Sequence, residues 1–282
     1  MLPRFARGLL LGSALCLTLS LLPQKGTAQA LTSNVVQSYA DLADLSDSAA
    51  MVEQVEIKSV IPLLPAQQAG VAKGHLRAYV EARPINALRG ETLYYPLVRY
   101  LVDLPVNDQG KLPKLTKTQA VIFAREAGGT PGDLQLVAPD AQLAWSAPLE
   151  ANLRFILGEL TAPEAPPRVT GISMAFYQPG DLAGEGETQM FLTTANSKPA
   201  AIVVQHRAGE PLRWTASFAE VVDPSVTPPA VNTLGWYRLA CFLPATLPPS
   251  VNLGETPEAK AQAAQDYLAV RAALGPCGRQ RK

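Results

Sequence analysis

The stretch RVTGISMAFYQPGDLAGEGETQMFLTTANSKPAAIVVQHRAGEPLRWTASFAEVV, residues 168–222, decides the fold. It holds four apolar, β-branched or aromatic runs, at residues 168–177, 188–194, 200–206 and 213–222. Each break between runs carries turn chemistry: Gly180, Gly184 and Gly186, then Asn196-Ser197-Lys198-Pro199, then Gly209-Glu210-Pro211. An antiparallel four-stranded meander is the economical reading.

Helices are expected on either side of it. Upstream, Ser146 is a candidate cap, and Leu149, Leu153, Ile156, Leu157 and Leu160 fall on one helical face before Pro163, Pro166 and Pro167 break the pattern. Downstream, a Pro-rich stretch at residues 226–231 leaves the sheet, and residues 234–242 form a short apolar segment read as helical. Thr256 then caps a last helix with Pro257 at its first position and Gly275-Pro276 at its stop. Residues 146–282 therefore form an α+β domain ending in a helix.

Residues 31–145 read differently. After a helix-like entry at residues 39–45, alternating or apolar runs at 52–60, 75–82, 98–104, 119–125 and 134–138 predict five short strands, with turn chemistry at Asn107-Asp108-Gln109-Gly110. Five strands in so short a span suggest a small all-β barrel or sandwich. The fold class is thus α+β overall, a five-stranded barrel-like domain followed by the meander domain.

The first thirty residues are an address. Arg4 and Arg7 precede an apolar run at residues 8–22, and Ala28-Gln29-Ala30 is a small-x-small cleavage pattern, the three parts of a secretory signal peptide. The run is short for a membrane span of about 20 residues, so the chain is expected in the periplasm, cleaved after Ala30, with no stable membrane insertion of its mature part. Cleavage removes Cys16 and leaves Cys241 and Cys277. An even pair in an oxidising compartment reads as a disulfide that fastens the last helix to the body. A redox or metal role lacks C-x-x-C spacing and a nearby His.

Composition excludes more than it selects. The 282 residues carry 24 basic and 24 acidic side chains, 17% charged in all, with 25 Pro and two His. The leader takes three basic residues with it, leaving a mature net charge of about −3. Such a balance lacks the basic excess of a nucleic-acid binder, and the spaced Lys111, Lys114 and Lys117 lack the aromatic platforms a single strand would need.

Candidate chemistry is sparse. His75 and His206 have no Gly-x-Ser-x-Gly elbow to serve. Asp41, Asp44 and Asp47 recur every third residue, but they lack the ligand order of a calcium loop and read as a solvated acidic first turn. Trp145, Trp214 and Trp236 sit among apolar neighbours and read as core. The most unusual local feature is the loop at residues 180–187, whose Asp181, Glu185 and Glu187 could belong to a ligand lid or simply to a hairpin connection. No catalytic residue, cofactor or metal ligand is assigned.

Three stretches carry a resemblance: residues 135–143 (QLVAPDAQL), 184–189 (GEGETQ) and 236–241 (WYRLAC). On them the mature chain resembles exported proteins of Gram-negative bacteria without an assigned activity. In strand count and spacing the first domain is also similar to oligonucleotide/oligosaccharide-binding barrels. Neither resemblance implies particular site residues. The expected function is a non-enzymatic binding or envelope-accessory module whose partner is an unknown protein or small-molecule ligand of the envelope. The alternatives are a periplasmic hydrolase using carboxylates and a purely structural envelope protein.

Overall fold

The computed structural model describes residues 37–90, 95–219 and 227–281. The expected signal peptide, its Ala28 and Ala30 and Cys16 lie outside the described residues. Helix α1 (Tyr39–Ser48) leads into β1 (Met51–Pro62), β2 (His75–Arg89), β3 (Val98–Pro105), β4 (Gln119–Glu126), β5 (Leu134–Leu136) and β6 (Gln142–Ala144). Helix α2 (Ala147–Thr161) follows, then β7 (Val169–Pro179), β8 (Gly186–Thr194), β9 (Ala200–His206), β10 (Arg213–Ser217), α3 (Leu234–Ala240) and α4 (Pro257–Leu274). Gln37–Lys282 forms one compact unit, and its buried apolar side chains make one continuous core drawn from both sheets and all four helices.

The first sheet is open where a barrel was expected. Its order is β3-β2-β1-β4-β5, with β6 on β4 as a sixth strand that the sequence reading lacked. The sheet curls until its edges meet: Arg99 of β3 bridges Asp133 in parallel, and its N–H donates to the Gly132 carbonyl at 2.9 Å. The Arg99–Asp133 ion pair closes the same point at 2.7 Å. No closed ladder follows among the described residues, because β5 has three residues and offers little to pair with. The second sheet, β10-β9-β8-β7, is the antiparallel meander read from residues 168–222.

Capping chemistry sets the helix starts. Ser38, Ser146, Thr233 and Thr256 each accept an N–H from the first turn of α1, α2, α3 and α4. Gly275 ends α4 at a φ of +71°, a left-handed value that favours glycine.

The acidic repeat on α1 is not solvated. Asp41 is wholly buried; its carboxylate completes a capping box with Ser38 and accepts the backbone N–H groups of Gln280 and Arg281, both at 2.9 Å. Asp44 accepts from the Tyr237 hydroxyl at 2.6 Å and from the Arg279 guanidinium. Asp47 is gripped from two sides, by Arg238 at 2.7 and 3.0 Å and by Arg168 at 2.6 Å. Burial pushes the Asp47 carboxyl up, yet the arginine hydrogen bonds outweigh it and hold the group below the ordinary carboxylate range. The same contest, won by backbone and Ser38 donors, lowers Asp41.

Cys241 and Cys277 form a disulfide with their Cα atoms 4.8 Å apart. It holds the segment after α4 against α3, from which residues 279–281 run along α1. For the 36-residue separation the chain-entropy account gives about 4 kcal/mol. Replacing both cysteines by serine should lower the melting temperature by roughly 10 °C, at about 2–4 °C per kcal/mol. Thermal unfolding of the two proteins side by side measures this, and hydrogen exchange should show α1 losing protection first.

One buried group has no counterpart. Glu53 stands opposite Ala87 of β2 and Ile122 of β4, on the face it shares with Val55. It is 0% exposed, and neither carboxylate oxygen has a hydrogen-bond partner. Burial pushes its carboxyl up to about 7. A pKa raised on folding means a stabilising contribution that is complete below the usual glutamate value near 4.5 and is lost as pH rises through about 7. Glu53→Gln should flatten that decline and be more stable than the native chain at pH 8, by on the order of 3 kcal/mol. Urea unfolding at pH 5 and pH 8 reads the difference; equal slopes against pH in both proteins would contradict it.

Candidate functional site

The second sheet has two unlike faces. Inward, Ala175, Met190, Ile202, Val204 and Trp214 are buried together with Ala263, Tyr267 and Val270 of α4. Outward, the strand register lays the side chains in rows. Gln178, Glu187 and Gln205 stand side by side across β7, β8 and β9 at the end nearest the 180–186 loop. The next row is Phe176, Gln189 and Val203, and the third is Met174, Phe191 and Ala201. Across β7, β8 and β9 the outward face thus passes from polar at the loop to apolar in its third row.

A cleft of about 420 Å³ lies over the polar end. Phe176, Gln178, Glu187, Gln189 and Gln205 form its floor, and Asp181, Glu185, His206 and Arg207 are among the residues that line it at the loop and strand ends. All three acids singled out in the loop therefore meet here, together with His206. The sequence reading kept the loop and the histidine apart, because the strands that bring them together pair residues about twenty apart. The three glutamines were not singled out at all; each stands on a different strand, and the one local signal was Gln189 at two residues from Glu187, on the same strand face.

The hairpin that carries the loop is tightly built. Gly180 N–H donates to the Glu185 carbonyl at 2.9 Å, and Glu185 N–H to the Leu182 carbonyl at 3.1 Å. The Tyr177 hydroxyl donates to the Glu185 carbonyl at 3.3 Å, and its ring lies over Gly186 so closely that a Cβ there would sit 2.2 Å from the hydroxyl oxygen. Only glycine fits under that ring.

Electrostatics divide the acids. Glu187 already accepts from the side-chain amides of Gln189 at 2.6 Å and Gln205 at 3.3 Å, one on each oxygen. Asp181 is exposed at the rim. Behind the cleft, His206 Nε2 lies 2.9 Å from both carboxylate oxygens of Asp266 on α4, which also accepts from Gln262 at 2.9 Å and from the Thr188 hydroxyl. Asp266 is almost wholly buried, so the His206 ring is fixed on the inward, α4 side of the sheet, while the residue itself lines the edge of the cleft next to Gln205. The Tyr177 ring meets it edge to face at 5.8 Å.

The other candidates lie elsewhere. His75 opens β2 and stays beside the Lys73 carbonyl. Lys111, Lys114 and Lys117 are exposed on the connection from β3 to β4. Trp214 and Trp236 are core, and Trp145 is half-buried with its indole N–H on Glu150 at 2.8 Å. Among the described residues no three His, Cys, Asp or Glu side chains gather as metal ligands, and no helix is long and apolar enough to cross a membrane.

No protein-family model matches the chain, and no curated protein is similar to it in sequence. The geometry therefore carries the functional argument.

Gly186→Ala should displace the Tyr177 ring and open the hairpin. An overpacking cost of roughly 1–3 kcal/mol corresponds to a fall of about 5 °C in melting temperature. Near-ultraviolet circular dichroism should report the tyrosine change; an unaltered spectrum and melting point would contradict the account.

Proposed function

We propose that the chain is a periplasmic, non-enzymatic binding module that takes a small polar ligand in the cleft on the outward face of the second sheet. The observation that carries this reading is the difference between the two sets of polar groups. On α1 and α3 every charged side chain named above is spent on an intramolecular partner, whereas the cleft leaves Gln178, Asp181 and Arg207 exposed around a concavity of ligand size. The leader pattern at residues 1–30 and the Cys241–Cys277 bridge support export and an oxidising destination.

A hydrolytic reading has one observation on its side, the convergence of Asp181, Glu185 and Glu187 on one cleft. Against it, both oxygens of Glu187 are held by amide donors, which suits an acceptor of ligand hydrogen bonds better than a proton carrier. For the first sheet, the order β3-β2-β1-β4-β5 and the parallel contact between β3 and the lead-in to β5 support a relation to oligonucleotide/oligosaccharide-binding folds.

The test is native mass spectrometry of protein recovered from the envelope fraction, beside its Gln178→Trp variant. Gln178 is exposed at the cleft, so a tryptophan there fills space without disturbing the core. The native protein should carry a mass excess that vanishes on denaturation and is absent from the variant. Bare masses for both, or turnover of an ester, glycoside or peptide substrate abolished by Glu187→Gln, would overturn the reading.

A further inference from the structure

Resting on the binding reading, we propose that the ligand of this cleft is an uncharged saccharide, held with its hydroxyl groups on the glutamine row and a ring face on Phe176. Four observations lead there. First, the floor is rich in amides. Gln178, Gln189 and Gln205 each offer a carbonyl acceptor and two N–H donors, and Glu187 adds acceptor capacity. A sugar hydroxyl donates one hydrogen bond and accepts others, so it needs both kinds of partner close together. Amides supply both from one side chain, and the register sets Gln178, Glu187 and Gln205 abreast, on strands about 4.8 Å apart.

Second, the floor is organised before any ligand arrives. The Gln189 and Gln205 amides are each tied to a different oxygen of Glu187, at 2.6 and 3.3 Å. Each amide keeps its carbonyl and its second N–H for a ligand, and the fixed orientation reduces the entropy lost on binding.

Third, the next row along the sheet supplies an apolar ring. Phe176 lines the cleft, half-buried, with Phe191 stacked beside it at 6.4 Å and 26° between planes. A pyranose has the matching character, polar at its edge and apolar C–H on its face. The neighbouring Val203 is buried on this side, which keeps the apolar row flat.

Fourth, the charges select against the competitors. Asp181, Glu185 and Glu187 outnumber Arg207, so phosphates, nucleotides and carboxylates are repelled. A cation would be drawn in, but one aromatic face at the floor and a carboxylate already shared by two amides make a poor cage for it. A wholly apolar ligand would leave the amide row desolvated without partners, which disfavours it.

The experiment is saturation-transfer NMR on the purified full-length protein with three probes: cellotriose and N,N′,N″-triacetylchitotriose as neutral saccharides, and trilysine as a cation. At least one trisaccharide should receive transfer through its ring C–H protons. Phe176→Ala and Gln205→Ala should each weaken that binding tenfold or more in titration, while Lys111→Ala, far along the chain on the β3–β4 connection, leaves it unchanged. The melting temperature of each variant shows that loss of binding is not loss of fold. Trilysine binding that Glu187→Gln abolishes and Phe176→Ala spares would overturn the saccharide while leaving a ligand in the cleft. Trisaccharides that receive no transfer would also overturn it, and the mass excess in the native protein then decides separately whether the cleft binds anything.

Discussion

Three aspartates on one short helix hold the first and last described segments together. Asp41, Asp44 and Asp47 of α1 receive donors from the segment after α4, from α3 and from the approach to β7, residues that lie between 121 and 240 positions away. Neither α1, with ten residues, nor α3, with seven, is long enough to be stable alone. Each is made by what it binds. Glu159 of α2 extends the same assembly, accepting from the Tyr39 hydroxyl at 2.7 Å and capping α3 through the Leu234 N–H at 3.0 Å. Desolvating so many charges is costly, and the cost is met only while every partner is present; removing one partner of a buried pair costs about 3–5 kcal/mol. The disulfide matters in that setting. It delivers the tail to Asp41, whose buried carboxylate would otherwise lack two of its donors.

What could be read from sequence follows the range of the interactions that cause it. The meander at residues 168–222, the caps at Ser146 and Thr256 and the Gly275 stop are local, since period, turn residues and capping side chains act within a few positions. The bridge between Cys241 and Cys277 followed from compartment and parity. The aspartates misled because the same spacing describes a solvated turn and a buried clamp, and the arginines that distinguish them are remote in sequence. The barrel misled for a related reason. Strand count was nearly right, but closure depends on how much of β5 can pair, and a run predicted over residues 134–138 yields a strand of three. Glu53 did leave a sign, since it falls in phase with Val55 and Ile57 on the apolar side of the alternating run, but whether a carboxylate there meets a partner depends on β2 and β4, which are remote in sequence.

The candidate site was half legible. The loop acids stood out through composition, and His206 through rarity. Their meeting, and the glutamine rows between them, needed the register of β7, β8 and β9. Polar residues at every second position look like an ordinary wet face until the neighbouring strands are aligned and the amides fall abreast.

The two systems divide the labour of the fold. One face of the second sheet is closed by α4, and the cleft lies on the other, so strands that serve the core also set the spacing of the cleft floor. His206 belongs to both. It lines the cleft edge next to Gln205 while Asp266 of α4 binds its Nε2 on the inward side, and Asp266 is in turn held by Thr188, the inward neighbour of Glu187 on β8. Shifting β8 or β9 beneath the cleft would therefore work against a buried hydrogen-bond cluster, and interiors packed as densely as this resist small displacements. The floor is consequently held in one arrangement by the same contacts that hold the core. That rigidity fits the pre-tied glutamines of the floor, and it leaves the exposed tip of the 180–186 loop as the freest part of the cleft wall.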